Sequence, residues 1–477
     1  MLKKTIKQYV NRLFASNKSS RKVYRQAEHK IDLRLVSRNA IKVCETLQSH
    51  GYQAYIVGGA VRDLILGFEP KDFDVATNAT PEQVRSIFRR ARIIGRRFRL
   101  VHVLFGSEVI ETSTFRAASN GTQSTDEHGR ILNDNVFGDI ESDAARRDFT
   151  LNALYYDPIQ EEVIDYHNGV ADLRSHTVRI IGDPEVRYRE DPVRMLRAVR
   201  FAAKLDATIE AKTHAQIKPL AKLISNVPHS RLFDETLKLL TCGNALNCLK
   251  QLRAEGLHEG IIPLLDLVLK QEGGQKFIEI TLDRTDQRIR TNRPVNASFL
   301  YAAILWPLVQ AYYKKELAKP HSHPMPALVE ATNKVLAEQV SKLALQKRHI
   351  AEMREIWFTQ PRFEKRTPRF IWRMIEQTFF RAACDFLQIR AACHEFDSVL
   401  AQWWMDLANA PNDERVRMVE ALGQGGRTAQ NKTKGTSGEE KTGARKRRPR
   451  RRSSRKKWQE EGQSSGGSSS PSAGVEH

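Results

Sequence analysis

The stretch GGAVRD at residues 58–63, followed by DFD at residues 72–74, decides the fold of this 477-residue chain. A β-type run precedes the two glycines and a helical pattern follows them, and glycines at such a turn let the backbone approach a phosphate closely. Asp72 and Asp74 lie two positions apart on a predicted strand, so their side chains should share one face and hold divalent metal ions. Two such ions about 4 Å apart can activate an attacking hydroxyl and stabilise a departing pyrophosphate.

Secondary-structure patterns divide the chain into an α/β part and a helical part. Helices and strands alternate to about residue 155, which predicts a small mixed sheet, and from residue 191 onward long helical patterns dominate. We therefore predict an α+β fold. Its parts are a basic N-terminal extension (1–29), a head (30–157), a neck (158–241), a helical body (242–420) and a disordered Arg/Lys-rich tail (421–477).

A second block, RRDFTLNAL at residues 146–154, adds charged side chains suited to the same chemistry. Arg146 and Arg147 can meet a triphosphate, and Asp148 can accept a hydrogen bond from a ribose hydroxyl or approach the metal ions. Glu111, on a predicted strand, is a rival third carboxylate. The alternatives are a helix cap for Asp148 and a sheet-edge charge for Glu111, and we favour Asp148 for function.

The third block, EDPVRMLRAVRF at residues 190–201, begins a helix. Asp191 is a good cap and Pro192 a good first residue. Arg194 and Arg197 then lie one turn apart on one face. The alternative is the charged face of an ordinary amphipathic helix.

Together, the three blocks resemble the signature of the polymerase β superfamily, and specifically of the bacterial branch that contains poly(A) polymerases and tRNA CCA-adding enzymes. The resemblance is close over roughly residues 30–240 and looser over the helical remainder. It implies a polymerase-β-like nucleotidyltransferase head that uses two magnesium ions at Asp72 and Asp74, with Asp148 as the further catalytic carboxylate. The residues that it implies for nucleotide binding are Gly58, Gly59, Arg62, Arg146, Arg147, Asp191, Arg194 and Arg197.

The same resemblance assigns roles within the third block. It implies that Asp191 and Arg194 read the Watson–Crick edge of the incoming base in place of a template strand. Arg197 would support the base or the phosphates.

The choice within this branch depends on IIGRRFRLVHV at residues 93–103, which is similar to the stretch that distinguishes poly(A) polymerases from their CCA-adding relatives. Arg96, Arg97 and Arg99 form a basic strip suited to an RNA backbone, unless they are a solvated strand edge. We therefore expect template-independent addition of AMP from ATP to RNA 3′ ends. A tRNA CCA-adding or A-adding enzyme is the alternative. A non-catalytic RNA-binding protein on the same scaffold is a third reading, against which the intact Asp72 and Asp74 argue.

The formal net charge is +21, and much of it lies in residues 441–457. Such a cluster attracts polyanions of any sequence by releasing their counterions. The tail arginines expected to contact RNA are Arg447, Arg448, Arg450, Arg451 and Arg452. We expect this tail to hold unrelated RNA 3′ ends and to contact RNA-decay proteins, so that polyadenylation promotes decay; a merely solubilising tail is the alternative.

Composition excludes several other classes of protein. No run approaches the roughly 18 apolar residues of a membrane span and no secretory signal opens the chain, so we expect a cytoplasmic protein. The five cysteines are widely spread without a CxxC pair, which predicts reduced residues and neither disulfides nor a zinc site. The first 25 residues fit a leader helix, an RNA-touching extension or a transit peptide.

Overall fold

A mixed β-sheet holds the DFD segment at its middle. Its strands are β1 (Lys22–Arg25), β2 (Ala54–Val57), β3 (Asp74–Thr77), β4 (Ala91–Ile94), β5 (Leu100–Phe105), β6 (Glu108–Thr114), β7 (Leu154–Asp157) and β8 (Glu162–Asp165). They lie in the order β1-β8-β7-β2-β3-β6-β5-β4, and only β3 and β6 run parallel to each other. Two shorter strands, β9 (Thr177–Val178) and β10 (Thr208–Ile209), form a separate parallel pair. The expected mixed sheet is confirmed.

The structure is a computed structural model that describes residues 21–95, 99–117, 136–340 and 345–432, with the side chains of 340 and 423–432 left aside. The chain divides into two units, Met1–Leu422 and Gly423–His477, and the sheet and the candidate site described below belong to the first. Arg96, Arg97 and the tail arginines lie outside the described residues, as do residues 1–20 of the expected extension and nearly all of the predicted loop 117–135.

Short helices accompany the sheet. Those up to residue 204 are α1 (Gln26–His29), α2 (Arg38–Ser49), α3 (Gly59–Ile65), α4 (Pro81–Ile87), α5 (Ile140–Arg146), α6 (Gly169–Arg174), α7 (Pro184–Glu190) and α8 (Val193–Lys204). Ser37 starts α2 because its hydroxyl accepts hydrogen bonds from two free amides of the first turn, and Thr80 starts α4 in a capping box. The apolar face of α2 packs on β2, which fixes the strand that ends at the glycine turn.

The remainder of the described chain is helical, as expected. Its helices are α9 (Ala211–Ala215), α10 (Ile217–Leu220), α11 (His229–Leu240), α12 (Ala245–Ala254), α13 (Leu265–Leu269), α14 (Gly274–Arg290), α15 (Ala297–Leu317), α16 (Pro324–Val340), α17 (Lys347–Thr359), α18 (Pro368–Ile375), α19 (Phe380–Ala392), α20 (Ser398–Asn409) and α21 (Asn412–Lys432). The described chain also has five 3-10 turns, at Leu33–Leu35, Thr150–Asn152, Ala221–Asn226, Leu257–Gly260 and Gln360–Glu364. α15 is apolar on nearly every side and lies at the centre of the body, packed against α14, α16 and α17.

Two boundaries differ from the sequence prediction. β1 pairs with β8, so the last residues of the expected extension form an edge of the sheet. Since β7 and β8 both belong to this sheet, it extends to Asp165, beyond residue 157. Periodicity over four residues is too short to reveal β1, because pairing with a distant strand decides its conformation.

Among the described residues, no helix is long and apolar enough to cross a membrane. The five cysteines are free thiols. The fold brings the sulfur atoms of Cys242 and Cys248 to 3.3 Å, a proximity that their spacing in the sequence did not indicate.

Candidate active site between the sheet and the neck

The glycine turn ends β2 and begins α3. Gly58 has a φ of +73°, in the left-handed region that favours glycine. A Cβ atom at this position would also lie 3.4 Å from Nη1 of Arg147. The close approach of backbone to guanidinium therefore depends on glycine here, and it places Arg147 next to the start of α3.

Asp74 is the first residue of β3 and lies in register between Val57 of β2 and Glu111 of β6. Asp72 precedes the strand by two residues, so the expectation of two aspartates on one strand is wrong in detail. Both carboxylates nevertheless line the same cavity of about 690 Å³, which we call the wide cavity. Desolvation by its walls, the charge of Glu111 and the charge of Asp72 raise the pKa of Asp74 to about 6.

These acidic residues fit a divalent cation that completes its shell with other ligands. Within the described part of the chain, neither Asp72 nor Asp74 has an ion pair, and no group of three acidic, His or Cys side chains converges on one point. Magnesium accepts one or two carboxylates and takes its remaining ligands from phosphate oxygens and water. The donor set and the raised pKa of Asp74 suit that arrangement.

Asp148 lines a second cavity of about 460 Å³, which Asp74 also lines and which we call the arginine cavity. Its residues are Gly58, Gly59, Arg62, Asp74, Arg147, Asp148, Asn152, Arg197, Arg200 and Phe201. Asp148 accepts a hydrogen bond from Nε of Arg197 at 2.6 Å and another from the amide of Phe149 at 2.8 Å. Desolvation opposes its ionisation, but Arg197 and that amide keep the pKa below its ordinary value. Asp148 is therefore an ion-pair partner of the neck, and Phe149, the next residue, caps the 3-10 turn that follows.

Arg147 is held from three sides. Its Nη2 lies 3.1 Å from Asp143, its Nε donates to the Tyr155 hydroxyl at 3.0 Å, and its guanidinium lies over the Tyr155 ring. The Tyr155 hydroxyl donates in turn to Asp143 at 2.6 Å. This fixed guanidinium lines the arginine cavity, whereas Arg146 is not among the lining residues. The nucleotide-binding role of both arginines stays a prediction.

Phe201 brings three guanidinium groups together. The ring lies 4.6 Å from Arg200, 5.2 Å from Arg62 and 5.5 Å from Arg197. Cations over a ring face are attracted by its quadrupole, so one apolar side chain keeps a concentrated positive charge at the cavity wall. Sequence reasoning assigned no role in the site to Arg200 or to Phe201, although both stand at the end of the third block.

Asn152 connects the two blocks that surround this cavity. The oxygen of its side-chain amide accepts a hydrogen bond from Arg62 at 2.8 Å, and the nitrogen of the same side-chain amide donates one to Asp148 at 3.3 Å. Its position in the RRDFTLNAL block gave no indication of that bridging role.

Neither Asp191 nor Arg194 is among the described residues that line the arginine cavity. Asp191 accepts from Arg231 at 2.6 Å, and Arg194 donates to the carbonyl of Arg187 at 2.7 Å. Arg187 donates to the carbonyls of Arg146 and Arg147 at 2.8 and 2.6 Å, which ties the start of the neck helices to the second block. The nucleotide-selecting role of Asp191 and Arg194 stays a prediction.

Arg99, the one described residue of the predicted basic strip, lies 2.5 Å from Glu82 at the start of α4. Glu111 lies beside Asp74 and 3.3 Å from Nε2 of His102.

Family models match most of the chain in three segments. They are described as the poly A polymerase head domain over residues 54–179, the probable RNA and SrmB-binding site of polymerase A over 206–269, and the polymerase A arginine-rich C-terminus over 321–456. Poly(A) polymerase I of Salmonella typhi is 44% identical over 406 residues, covering 82% of this chain and 87% of that protein. Its counterpart in Haemophilus influenzae is 44% identical over 83% of this chain and 90% of that protein. The chain belongs to the bacterial poly(A) polymerase I family.

Membership in the poly(A) polymerase I family confirms the enzyme class expected from the sequence, a polynucleotide adenylyltransferase. The CCA-adding enzyme of Lactobacillus helveticus is 40% identical over only 42% of this chain and 49% of that protein. A structure of the Bacillus stearothermophilus CCA-adding enzyme in complex with CTP aligns with a TM-score of 0.52 and 26% identity, over 78% of this chain and 80% of that one. The scaffold is thus shared across the branch, while similarity along most of the chain favours the poly(A) polymerases.

Proposed function

We propose that this chain adds AMP from ATP to RNA 3′ ends without a template and releases pyrophosphate. One observation carries the proposal: Asp74 stands between two cavities that share Gly59, Arg62 and Asp74 itself. The in-line displacement of pyrophosphate needs the attacking hydroxyl and the leaving group on opposite sides of the reacting phosphorus. Two cavities that both reach Asp74 give ATP and the RNA 3′ end separate approaches to the same carboxylate.

The arginine cavity suits the triphosphate of ATP. Arg147 is fixed beside the glycine turn by Asp143 and Tyr155, and three further guanidinium groups surround Phe201. Charge-assisted hydrogen bonds from fixed guanidinium groups both orient a triphosphate and stabilise the negative charge of the transition state. Asp148 keeps Arg197 in place and presents a carboxylate oxygen toward a ribose hydroxyl.

Asp72 and Asp74 would hold two magnesium ions. Such ions activate the attacking hydroxyl and neutralise charge on the departing pyrophosphate. The side chains contribute carboxylate oxygens, and the raised pKa of Asp74 expresses the cost of ionising it where desolvation and the charges of Glu111 and Asp72 outweigh the charge of Arg147. Glu111, in register with Asp74, would tune that pKa and is the second choice for a further metal ligand.

The macromolecular partners and the cellular location are also proposals. The Arg/Lys-rich segment 441–457 suits RNA of any sequence and acidic surfaces of RNA-decay proteins, and we place the reaction in the cytoplasm, where ATP and RNA 3′ ends meet. The alternative, a CCA-adding enzyme, shares the head and the neck but recognises one tRNA shape.

Nucleotide selection tests the proposal directly. The purified protein with magnesium is offered ATP or CTP, each with an unstructured oligoribonucleotide and with tRNA that lacks its CCA end. We expect repeated AMP addition to both RNAs and little CMP addition, as resolved on a denaturing gel. Efficient CMP addition to the truncated tRNA would establish the CCA-adding alternative, and no addition in any reaction would favour the non-catalytic one.

A further inference from the structure

A large aromatic side chain lies unusually open at the rim of the wide cavity. Phe68 is 61% exposed, and it lines this cavity together with Asp72 and Asp74. Leaving most of a phenyl ring in water forfeits the stabilisation that its burial would give. Its position beside the candidate metal site points to a ligand that covers the ring.

The backbone around Phe68 explains why the ring stays exposed to solvent. α3 ends in a Schellman turn, in which Gly67, at a φ of +76°, donates to the Leu64 carbonyl at 3.0 Å and Phe68 donates to the Asp63 carbonyl at 2.8 Å. In such turns the residue after glycine commonly packs an apolar side chain on the last helical turn. The two helix positions that such a residue usually packs on, C3 and C4, are here Asp63 and Arg62, which are paired with each other at 2.7 Å. Phe68 is therefore held on a fixed backbone beside two charged side chains at these positions.

Basic side chains surround the same rim. Lys71, Lys204 and Arg290 all line the wide cavity. Lys204 is paired with Asp63 at 3.2 Å and Arg290 donates to the Gly243 carbonyl at 3.2 Å, whereas Lys71 has no ion pair with any residue that the structure describes. An aromatic ring beside cations on a groove wall is the arrangement that binds single-stranded nucleic acid, because bases stack on the ring and phosphates meet the cations.

We propose that Phe68 stacks on the 3′-terminal base of the acceptor RNA and so positions the attacking hydroxyl at Asp72 and Asp74. This inference rests on the proposed function. Phe68 does not line the arginine cavity, where the triphosphate binds, so the ring serves the RNA and not ATP. It is a positioning residue, because it acts on the base and not on the reacting atoms.

The test compares Phe68→Ala with Phe68→Trp and with the matched control Phe137→Ala. Phe137 is 42% exposed, bridges Arg116 and does not line the wide cavity. Affinity for a labelled, unstructured oligoadenylate is measured by fluorescence anisotropy without ATP or metal. We expect Phe68→Ala to weaken binding about tenfold, while Phe68→Trp and Phe137→Ala bind like the wild type. The KM for ATP should be the same in all four proteins.

An oligoadenylate with an abasic 3′-terminal nucleotide locates the contact. The wild type should bind it about as weakly as Phe68→Ala binds the intact RNA, and Phe68→Ala should lose nothing more. If Phe68→Ala weakens binding of the abasic RNA as strongly as that of the intact RNA, stacking on the terminal base is wrong. A raised KM for ATP with unchanged RNA affinity would assign the ring to the nucleotide instead.

The same proteins separate this inference from the proposed function. A wild type that adds no AMP to RNA would overturn the function itself. A wild type that polyadenylates RNA, together with a Phe68→Ala protein of unchanged RNA affinity and unchanged KM for RNA, would overturn the stacking role alone. Circular dichroism confirms that the variants fold, which the exposure of Phe68 leads us to expect.

Discussion

The carboxylates on the sheet and the carboxylate beside the neck have opposite electrostatic environments. Asp74 has no ion pair within the described residues, and burial in the cavity wall with Glu111 and Asp72 nearby raises its pKa to about 6. Asp148 is more deeply buried, with 13% of its side chain exposed, but it faces Arg197 at 2.6 Å, and its pKa falls below the ordinary value. The difference separates the proposed cation site from an ion pair built into the scaffold.

This contrast gives the two carboxylates opposite effects on stability. At pH values between the pKa of Asp74 in the unfolded chain and its raised pKa in the folded protein, the folded state binds more protons at this residue. The stability of the metal-free protein should therefore fall as the pH rises from about 4 to about 6. Asp148 behaves the other way: its contribution is present at neutral pH and is lost as pH falls through its lowered pKa. Metal ions should offset the loss of stability that ionised Asp74 causes and should leave the contribution of Asp148 unchanged.

The largest expected effect follows from Asp74→Asn. We expect polyadenylation to fall by about a thousandfold, because the neutral amide no longer holds the cation that stabilises the transition state. In the absence of metal the variant should melt at the same or a higher temperature than the wild type at neutral pH. Magnesium with ATP should raise the melting temperature of the wild type only, as measured by differential scanning fluorimetry.

Glu69→Gln is the matched control, since Glu69 lines the same wide cavity without a place in the proposed metal site. It should keep near wild-type activity and the magnesium response. Wild-type activity in the Asp74→Asn variant would contradict the proposed metal-binding role of Asp74.

The second effect concerns stability and follows from Asp148→Asn. This change leaves the guanidinium of Arg197, which is 30% exposed, without its nearest carboxylate, and Glu235 remains at 4.0 Å. We expect the free energy of unfolding to fall by about 2 kcal/mol, a value between those of buried and exposed ion pairs. Urea denaturation at neutral pH measures it.

Glu111→Gln, on the exposed face of the same sheet, is the control and should change stability by less than about 0.5 kcal/mol. A double variant with Arg197→Met should recover part of the loss, because it removes the unpaired charge as well. Strictly additive losses would mean that Asp148 and Arg197 do not depend on each other for stability.

Local sequence signals account for the frame of the site. The glycine turn, the strand that starts at Asp74 and the helix Val193–Lys204 each follow from short-range patterns such as φ preferences, β-type runs and helix caps. The resemblance supplied the family, and the family confirmed the enzyme class. These features depend on few residues close together in the sequence.

The same reasoning could not predict contacts between residues that are far apart in the sequence. The Asp148–Arg197 ion pair joins residues 49 positions apart, and the arginines around Phe201 come from two separate blocks. Alternation along one segment gives no information on which distant strand or helix it will meet. For the same reason the partners of Asp191 and Arg194, and the sulfur contact of Cys242 with Cys248, could not be predicted.

The smallest effect concerns pH and the part that Glu111 plays. At subsaturating magnesium the rate should fall by about tenfold per pH unit below about 6, because protonated Asp74 does not bind the cation. Glu111→Gln removes a negative charge that raises this pKa, so the midpoint of the pH profile should move to lower pH by a fraction of a unit. Glu69→Gln should leave the midpoint in place. If Glu111→Gln lowers the rate equally at every pH without moving the midpoint, Glu111 is itself a metal ligand, and the sheet provides three carboxylates to the cations where we propose two.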